Sequence, residues 1–304
     1  MTAAIPTLAR TRHSARTREA LAFYLLITPW LLGLLVLSLG PILASVGISL
    51  TDWSLLESPR WIGFANYERM WADPVMWLSL RNTIVFSLGS VGFGLATNFL
   101  IALLLNQRVR GLGVFRTIFY LPSVVSGVST AILWITILDP NYGLVNYLLG
   151  LIGIQGPGWL TSETWVIPGL VLMSVWGSGN TLVIFLAGLQ GIPGSLVDAA
   201  RIDGAGALRR LWHVTIPMVS PIVFFTMVTG FIGSLQAYTL VLLMTKGGPA
   251  NASMMIGLYV YQNAFQYFDL GYASALSWVV FLLIMAVTAI QFLVARRWVH
   301  YEGA

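Results

Sequence analysis

The sequence predicts an all-α integral membrane protein with six spanning helices and both termini cytoplasmic. Three observations carry this. The 304-residue chain is 57% hydrophobic and 9% charged. Charges vanish between Glu19 and Asp52, Arg81 and Arg108, Arg116 and Asp139, Glu163 and Asp198, Arg210 and Lys246, and Asp269 and Arg296. Arginine and lysine fall twelve to four on alternate sides of these runs, and the richer side is cytoplasmic by the positive-inside rule.

Each run can supply the roughly 20 apolar residues that cross about 30 Å of hydrocarbon. The spans must be helices, because lipid leaves open backbone groups unpaired. They are expected near 21–45, 82–105, 118–138, 165–189, 218–244 and 271–295. Tails at 1–20 and 296–304 flank this 21–295 domain. The first apolar stretch exceeds an ordinary signal-peptide core and reads as an uncleaved helix.

After the first span, Asn66 is expected to cap a short interfacial helix carrying Tyr67, Met70 and Trp71 on one face. Residues 140–162 are also uncharged, but glycine and proline break them. Only 144–154 is apolar, too short to cross, so this is read as an external loop with an interfacial turn.

No span carries a central charge, which argues against an ion-coupled carrier. The histidines, His13, His213 and His300, have no metal spacing, and no metal site is expected. No cysteine is present. The one lysine, Lys246, lies in TKGGP, so the phosphate-binding G-x-x-x-x-G-K-[ST] loop is absent. The chain is expected to bind no cofactor and to be no enzyme. Its net charge of +5 follows from topology and contact with the lipid bilayer, and no nucleic acid is needed to explain it.

The polar segment 190–217 needs its own account. Pro193-Gly194 ends the fourth span. Ser195 with Asp198 forms a capping-box arrangement for a helix from Leu196 to Ile202, with Leu196, Ala199 and Ala200 on one face. Asp203-Gly204 closes it, with Gly204 left-handed, and Ala205 follows. A second helical turn, Ala207–His213, leads to Pro217. The plain alternative is a well-capped loop.

The spacing Asp198-Ala199-Ala200, then Gly204, then Val214, Ile216 and Pro217 resembles the EAA loop of ABC importer permeases, E-A-A-x(3)-G-x(9)-I-x-L-P. Asp stands for Glu, Val for Ile and Ile for Leu. FRTIFYLPSVVSGVSTAILW (115–134), LAGLQGIP (186–193), MTKGGP (244–249) and DLGYASALSW (269–278) resemble the carbohydrate branch, which includes maltose and glycerol-3-phosphate permeases.

The resemblance implies a type I ABC importer permease carrying a sugar or related polar solute across the cytoplasmic membrane. Implied partners are a second permease in a heterodimer, two ATPase subunits that use the ATP and magnesium, and an extracytoplasmic solute-binding protein. Leu196, Asp198, Ala199, Ala200, Asp203, Gly204 and Ala205 would couple to the ATPase. Ser123 and Gly127, one turn apart, would line the solute path. So would Trp176 and Asn180, one turn apart beside Gly177, together with Gly230, Ser234 and Gln236. Small and amide residues also serve helix packing. The rival function is a stand-alone carrier or channel.

Overall fold

The computed structural model describes residues 11–300 apart from Leu56, Arg108 and Val109. Arg10, Arg108 and the outer ends of both predicted tails therefore lie outside the described residues. Four helical stretches are long and apolar enough to cross a membrane: Thr17–Ser49, Pro74–Leu105, Ala207–Leu235 and Leu270–Ala295. Two bent pairs, Leu112–Val124 with Gly127–Ile137 and Val166–Trp176 with Gly179–Gln190, raise the number to six if each is one span.

The first stretch joins α1 (Thr11–Gly33) to α2 (Gly40–Ser49) through a π turn at Leu34–Leu39. Its membrane-length window is nowhere buried against the rest of the chain. A two-stranded hairpin follows, β1 (Thr51–Asp52) with β2 (Arg60–Trp61). Then comes α3 (Ala65–Ala72). Asn66 does not cap α3: Phe64 holds that place. The Asn66 amide is buried and donates to the Ser49 and Thr51 carbonyls, both at 2.9 Å. Trp71 leaves the expected common face. It is exposed and packs edge-on against Trp77, whereas Met70 is buried.

α4 (Pro74–Leu105) is the central post. Asp73 caps it by accepting from the Val75 and Met76 amides at 2.8 and 3.3 Å, and Pro74 occupies the first turn, where no N–H is needed. Buried clusters along α4 join it to its neighbours. Met76 packs with Met70, Ile256 and Tyr272. Phe86 packs with Val166, Leu170 and Val241. Ala102 and Leu105 pack with Phe185, Leu189 and Val219.

The third predicted span bends by 102° between α5 (Leu112–Tyr120), a 3-10 turn at Leu121–Val124, and α6 (Gly127–Ile137). Val125 and Ser126 are extended, with ψ 139° and 137°, and form the break; Pro122 lies in the 3-10 turn before it. Ser123 and Gly127 are therefore not one turn apart on a single helix. α7 (Leu144–Leu151) is the short helix in the 140–162 loop. The fourth predicted span bends by 49° between α8 (Val166–Trp176) and α9 (Gly179–Gln190). Gly177 and Ser178 form the break, so Trp176 and Asn180 also fall on different helices.

Beyond α10 (Gly194–Ile202), the chain rises without interruption through α11 (Ala207–Arg210), a π turn at Leu211–Thr215 and α12 (Ile216–Leu235). The fifth span thus starts and ends about ten residues before the expected 218–244. Pro217 sits in the first turn of α12, where its missing N–H is harmless. At 29 residues the rod is roughly 44 Å long, more than the hydrocarbon core requires. α13 (Thr239–Met244), α14 (Ile256–Phe265) and α15 (Leu270–Ala295) complete the chain. Asn82 and Thr83 hold the 251–256 segment: the Asn82 amide donates to the Asn251 and Met254 carbonyls, and the Ile256 amide donates to Thr83 Oγ1.

Candidate functional site

The segment after α9 forms a projecting knob. Near the end of α9, Leu189 packs with Leu105 at the far end of α4, and Ile192 joins that cluster. The knob therefore lies at the opposite end of α4 from Asp73. α10 begins at Gly194 with Pro193 as its cap residue and no side-chain capping bond. The expected capping box is not formed, because the helix starts before Ser195. Asp198 instead pairs with Arg201 at 3.1 Å, both well exposed, an arrangement worth little by itself.

The other end of α10 is closed as expected. Gly204 has φ +74°, the left-handed region open to glycine at little cost. The Ala205 amide donates to the Ala200 carbonyl at 2.9 Å and the Gly204 amide to the Arg201 carbonyl at 3.0 Å. These two bonds make a Schellman closure. Arg210 Nη1 donates to the Ala205 carbonyl at 2.6 Å, tying the second turn to the first.

No residue of α10 or α11 is fully buried. Leu196, Ala199 and Asp203 are exposed, while Ala200 and Ala205 are half-buried. Sequence reasoning missed Ile202, Leu208 and Trp212, which are 87%, 69% and 62% exposed. With Leu196 they give a polar, arginine-bearing knob an uncovered apolar surface. Leu208 and Trp212 begin the Ala207–Leu235 stretch, whereas Leu196 and Ile202 lie outside every stretch long and apolar enough to cross a membrane, where uncovered apolar side chains are less easily explained by lipid. The legible signal was three large apolar residues among Arg201, Asp203, Arg209 and Arg210.

Of the eight predicted path residues, Trp176, Gly230 and Gln236 line cavities, each a different one. Trp176 lines one of about 330 Å³ with Thr97, Asn98, Phe119, Trp134 and Gly179. Ser123 stands at its edge: a Cβ placed on Gly179 would lie 3.2 Å from Ser123 Oγ. Gly230 lines a smaller cavity of about 140 Å³ with Ser90, Ser174, Ser178 and Thr226. Gln236 lines a third, of about 360 Å³, with Tyr238, Tyr261 and Phe265. Ser234 Oγ donates to the Phe231 carbonyl. Gly127 and Asn180 are exposed, and Gly177 is half-buried at the break. Asn98 was not foreseen. Its amide bonds the Gly94 carbonyl at 2.7 Å and Ser178 Oγ at 2.6 Å, bridging α4 to that break. Among the described residues no group of three or more His, Cys, Asp or Glu side chains could hold a metal ion.

At the other end, Asp73 gathers a second polar cluster. Its Oδ2 accepts from the hydroxyls of Tyr259 and Tyr272, each at 2.6 Å. Burial alone would raise the Asp73 carboxyl, but the bonds from the two tyrosines and the Val75 and Met76 amides outweigh it and hold it below the usual range. Burial and the Asp73 carboxylate push the Tyr259 hydroxyl up to about 12. Arg69 donates to Asp269 at 2.6 Å and lies 4.1 Å over the Tyr272 ring. Asp269 also accepts from the Tyr272 amide, capping α15.

Residues 91–300 match the family described as binding-protein-dependent transport system inner membrane component. The chain is 38% identical to YesP, a probable ABC transporter permease protein of Bacillus subtilis (strain 168), over 94% of each chain. It is 35% identical to LacF, the lactose transport system permease protein of Rhizobium radiobacter, over 90% of this chain and 94% of that one. A solved bacterial alginate ABC transporter, in complex with alginate pentasaccharide-bound periplasmic protein, has a chain of the same fold. The TM-score is 0.81 at 22% identity, covering 93% of this chain and 96% of that one. Over two thirds of its length this chain therefore belongs to the binding-protein-dependent transport system inner membrane component family, the membrane permeases of ABC transporters.

Proposed function

We propose that this permease imports a carbohydrate as one half of a heterodimeric permease pair. An extracytoplasmic solute-binding protein delivers the solute, and two ATPase subunits seated against the α10 knobs drive the cycle. The observation that carries this reading is the knob itself. Its Schellman closure fixes one shape, and Leu196, Ile202, Leu208 and Trp212 stand uncovered upon it. The lactose permease among the relatives supports the sugar class.

Leu196, Asp198, Ala199, Ala200, Asp203, Gly204 and Ala205 form the coupling surface in this reading. Closure of the ATPases draws two knobs together and opens the permease pair outward. The cavities lined by Trp176, Gly230 and Gln236, with Ser123, Gly127, Gly177, Asn180 and Ser234 about them, then receive the solute. The permease breaks no bond in the solute and binds no nucleotide. It moves between two states; ATP hydrolysis on the partner subunits sets the direction, and differential contacts in the two states matter more than tight binding.

Each bent pair counts as one span in this reading, giving six spans with both termini cytoplasmic. A Ser58→Cys variant is expected to react with an impermeant thiol reagent from outside the cell, and Gly206→Cys only after the membrane is opened. The reverse pattern overturns the orientation. The assembled complex is expected to take up sugar only with binding protein and ATP. Uptake by the reconstituted chain alone, driven by an ion gradient, would instead make it a carrier.

A further inference from the structure

The helical rod that leaves the knob is weakest at its base. It carries a π turn at Leu211–Thr215 and two prolines, Pro217 and Pro221. Prolines and π turns are the usual causes of helix kinks. Pro221 lies inside α12 and has no N–H to give the carbonyl four residues back, that of Pro217. Ser220 Oγ donates to that carbonyl at 2.7 Å. The same oxygen accepts from the His300 amide at 2.9 Å. Ser220 is 2% exposed, so both bonds are shielded from bulk water. Beyond α15, the Trp298 and Val299 amides turn back to the Ala295 carbonyl. The Trp298 ring then stands edge-on to Phe224, centroids 6.4 Å apart, one turn along α12 from Ser220.

We infer that residues 296–300 are a strap that holds the base of α12 straight at the Pro221 defect, with Ser220 as the positioning residue. Displacement of the knob then passes along the helix instead of being absorbed in a kink. The inference rests on the coupling role of the knob and adds a device for it. Knob and strap meet on one rod, because Ala207–Leu235 is a single helical stretch. A serine that only bonds back to its own helix tends to bend it. Here the hydroxyl oxygen is also fixed from outside, by a main-chain N–H. The strap closes a seam that α12 and α15 already share, since Phe224 also packs edge-on against Phe292, centroids 5.0 Å apart. The bond comes from the backbone, so the device needs a hydroxyl at position 220 and no particular side chain at position 300.

The test uses the complete transporter with its binding protein in proteoliposomes, with lactose, maltose and trehalose as probes. Ser220→Ala is expected to speed hydrogen exchange of the 296–300 amides about two- to tenfold, the span one hydrogen bond covers. It is expected to lower sugar carried per ATP hydrolysed by a similar factor. That ratio is read within assembled complexes, so a plain loss of stability does not move it. Ser220→Thr keeps the hydroxyl and should match the parent, as should His300→Ala. Pro221→Ala, added to Ser220→Ala, returns an N–H to the Pro217 carbonyl. It should restore the ratio while the 296–300 amides stay fast to exchange. If Ser220→Ala lowers the yield of complex, Trp298→Ala, which loosens the strap from Phe224, decides the matter by the same two measurements. An unchanged ratio in Ser220→Ala and Trp298→Ala overturns the strap, and so does failure of Pro221→Ala to restore it. If the unaltered transporter carries none of the sugars, or carries them without ATP, the coupling reading is overturned and the strap falls with it.

Discussion

Gly204→Val is expected to abolish uptake while leaving the protein in the membrane at near-normal abundance. A Cβ at Gly204 would meet nothing within 4 Å, so the obstacle is backbone conformation and not space. At φ +74° a non-glycine residue costs about 1–2 kcal/mol, and a β-branched one falls at the upper end. Relaxing that strain breaks the bonds from the Gly204 and Ala205 amides to the Arg201 and Ala200 carbonyls and turns the α10 face away from its partner. The clusters around α4 lie elsewhere and stay intact. The measurements are uptake, stimulated ATP hydrolysis and copurification of the ATPase. Gly204→Asn should retain most activity, since asparagine tolerates the left-handed region. Asp198→Lys isolates the partner's contribution, because Asp198 caps nothing in α10. Full transport by Gly204→Val and Asp198→Lys would reduce the segment to a connecting loop.

Asp73→Ala is expected to destabilise the fold by about 2–4 kcal/mol, through loss of a helix cap and of partners for two tyrosine hydroxyls. Tyr272→Phe removes one bond and should cost about 1 kcal/mol. Thermal unfolding of the purified protein, followed by its tryptophan fluorescence, ranks the variants. Because the folded carboxyl lies below its ordinary value of 3.8, its contribution is complete above that value. It is lost as pH falls through the lower, folded value. Acid titration should therefore converge the unfolding temperatures of the parent and Asp73→Ala. Equal stability at neutral pH would show that the cluster is incidental.

The four long apolar helices were legible, the third of them with its bounds misplaced by about ten residues, because lipid demands long uncharged runs, a demand that acts on composition directly. The Gly204 closure was legible because few residues other than glycine occupy its conformation readily. The breaks at Gly177-Ser178 and Val125-Ser126 were not, since a helix that bends inside a uniformly apolar stretch leaves its hydropathy unchanged. Ser195 misled because Pro193 and Gly194 start α10 ahead of the best capping side chain. Asn66 misled because a carbonyl 17 residues away competes with the local backbone, and local spacing does not reveal it. The partners of Asp73 lie 186 and 199 residues along the chain, beyond any periodicity.

The Asp73 cluster also bears on where the molecule yields under load. Asp73, Tyr259, Tyr272, Arg69 and Asp269 clamp the N-terminal ends of α4 and α15 to α3 and α14. Asn66 and the bond from the Leu270 amide to the Trp53 carbonyl add the end of the first span. The bent pairs α5–α6 and α8–α9 are not in this clamp, and they carry the 102° and 49° breaks. α8 and α9 both pack against α4, so a push delivered to α9 through the knob would meet the 49° break at Gly177 and Ser178 first. The Trp134 cavity, with Trp176 and Gly179 in its wall, borders that break, while the Asp73 end of α4 stands clamped apart from it.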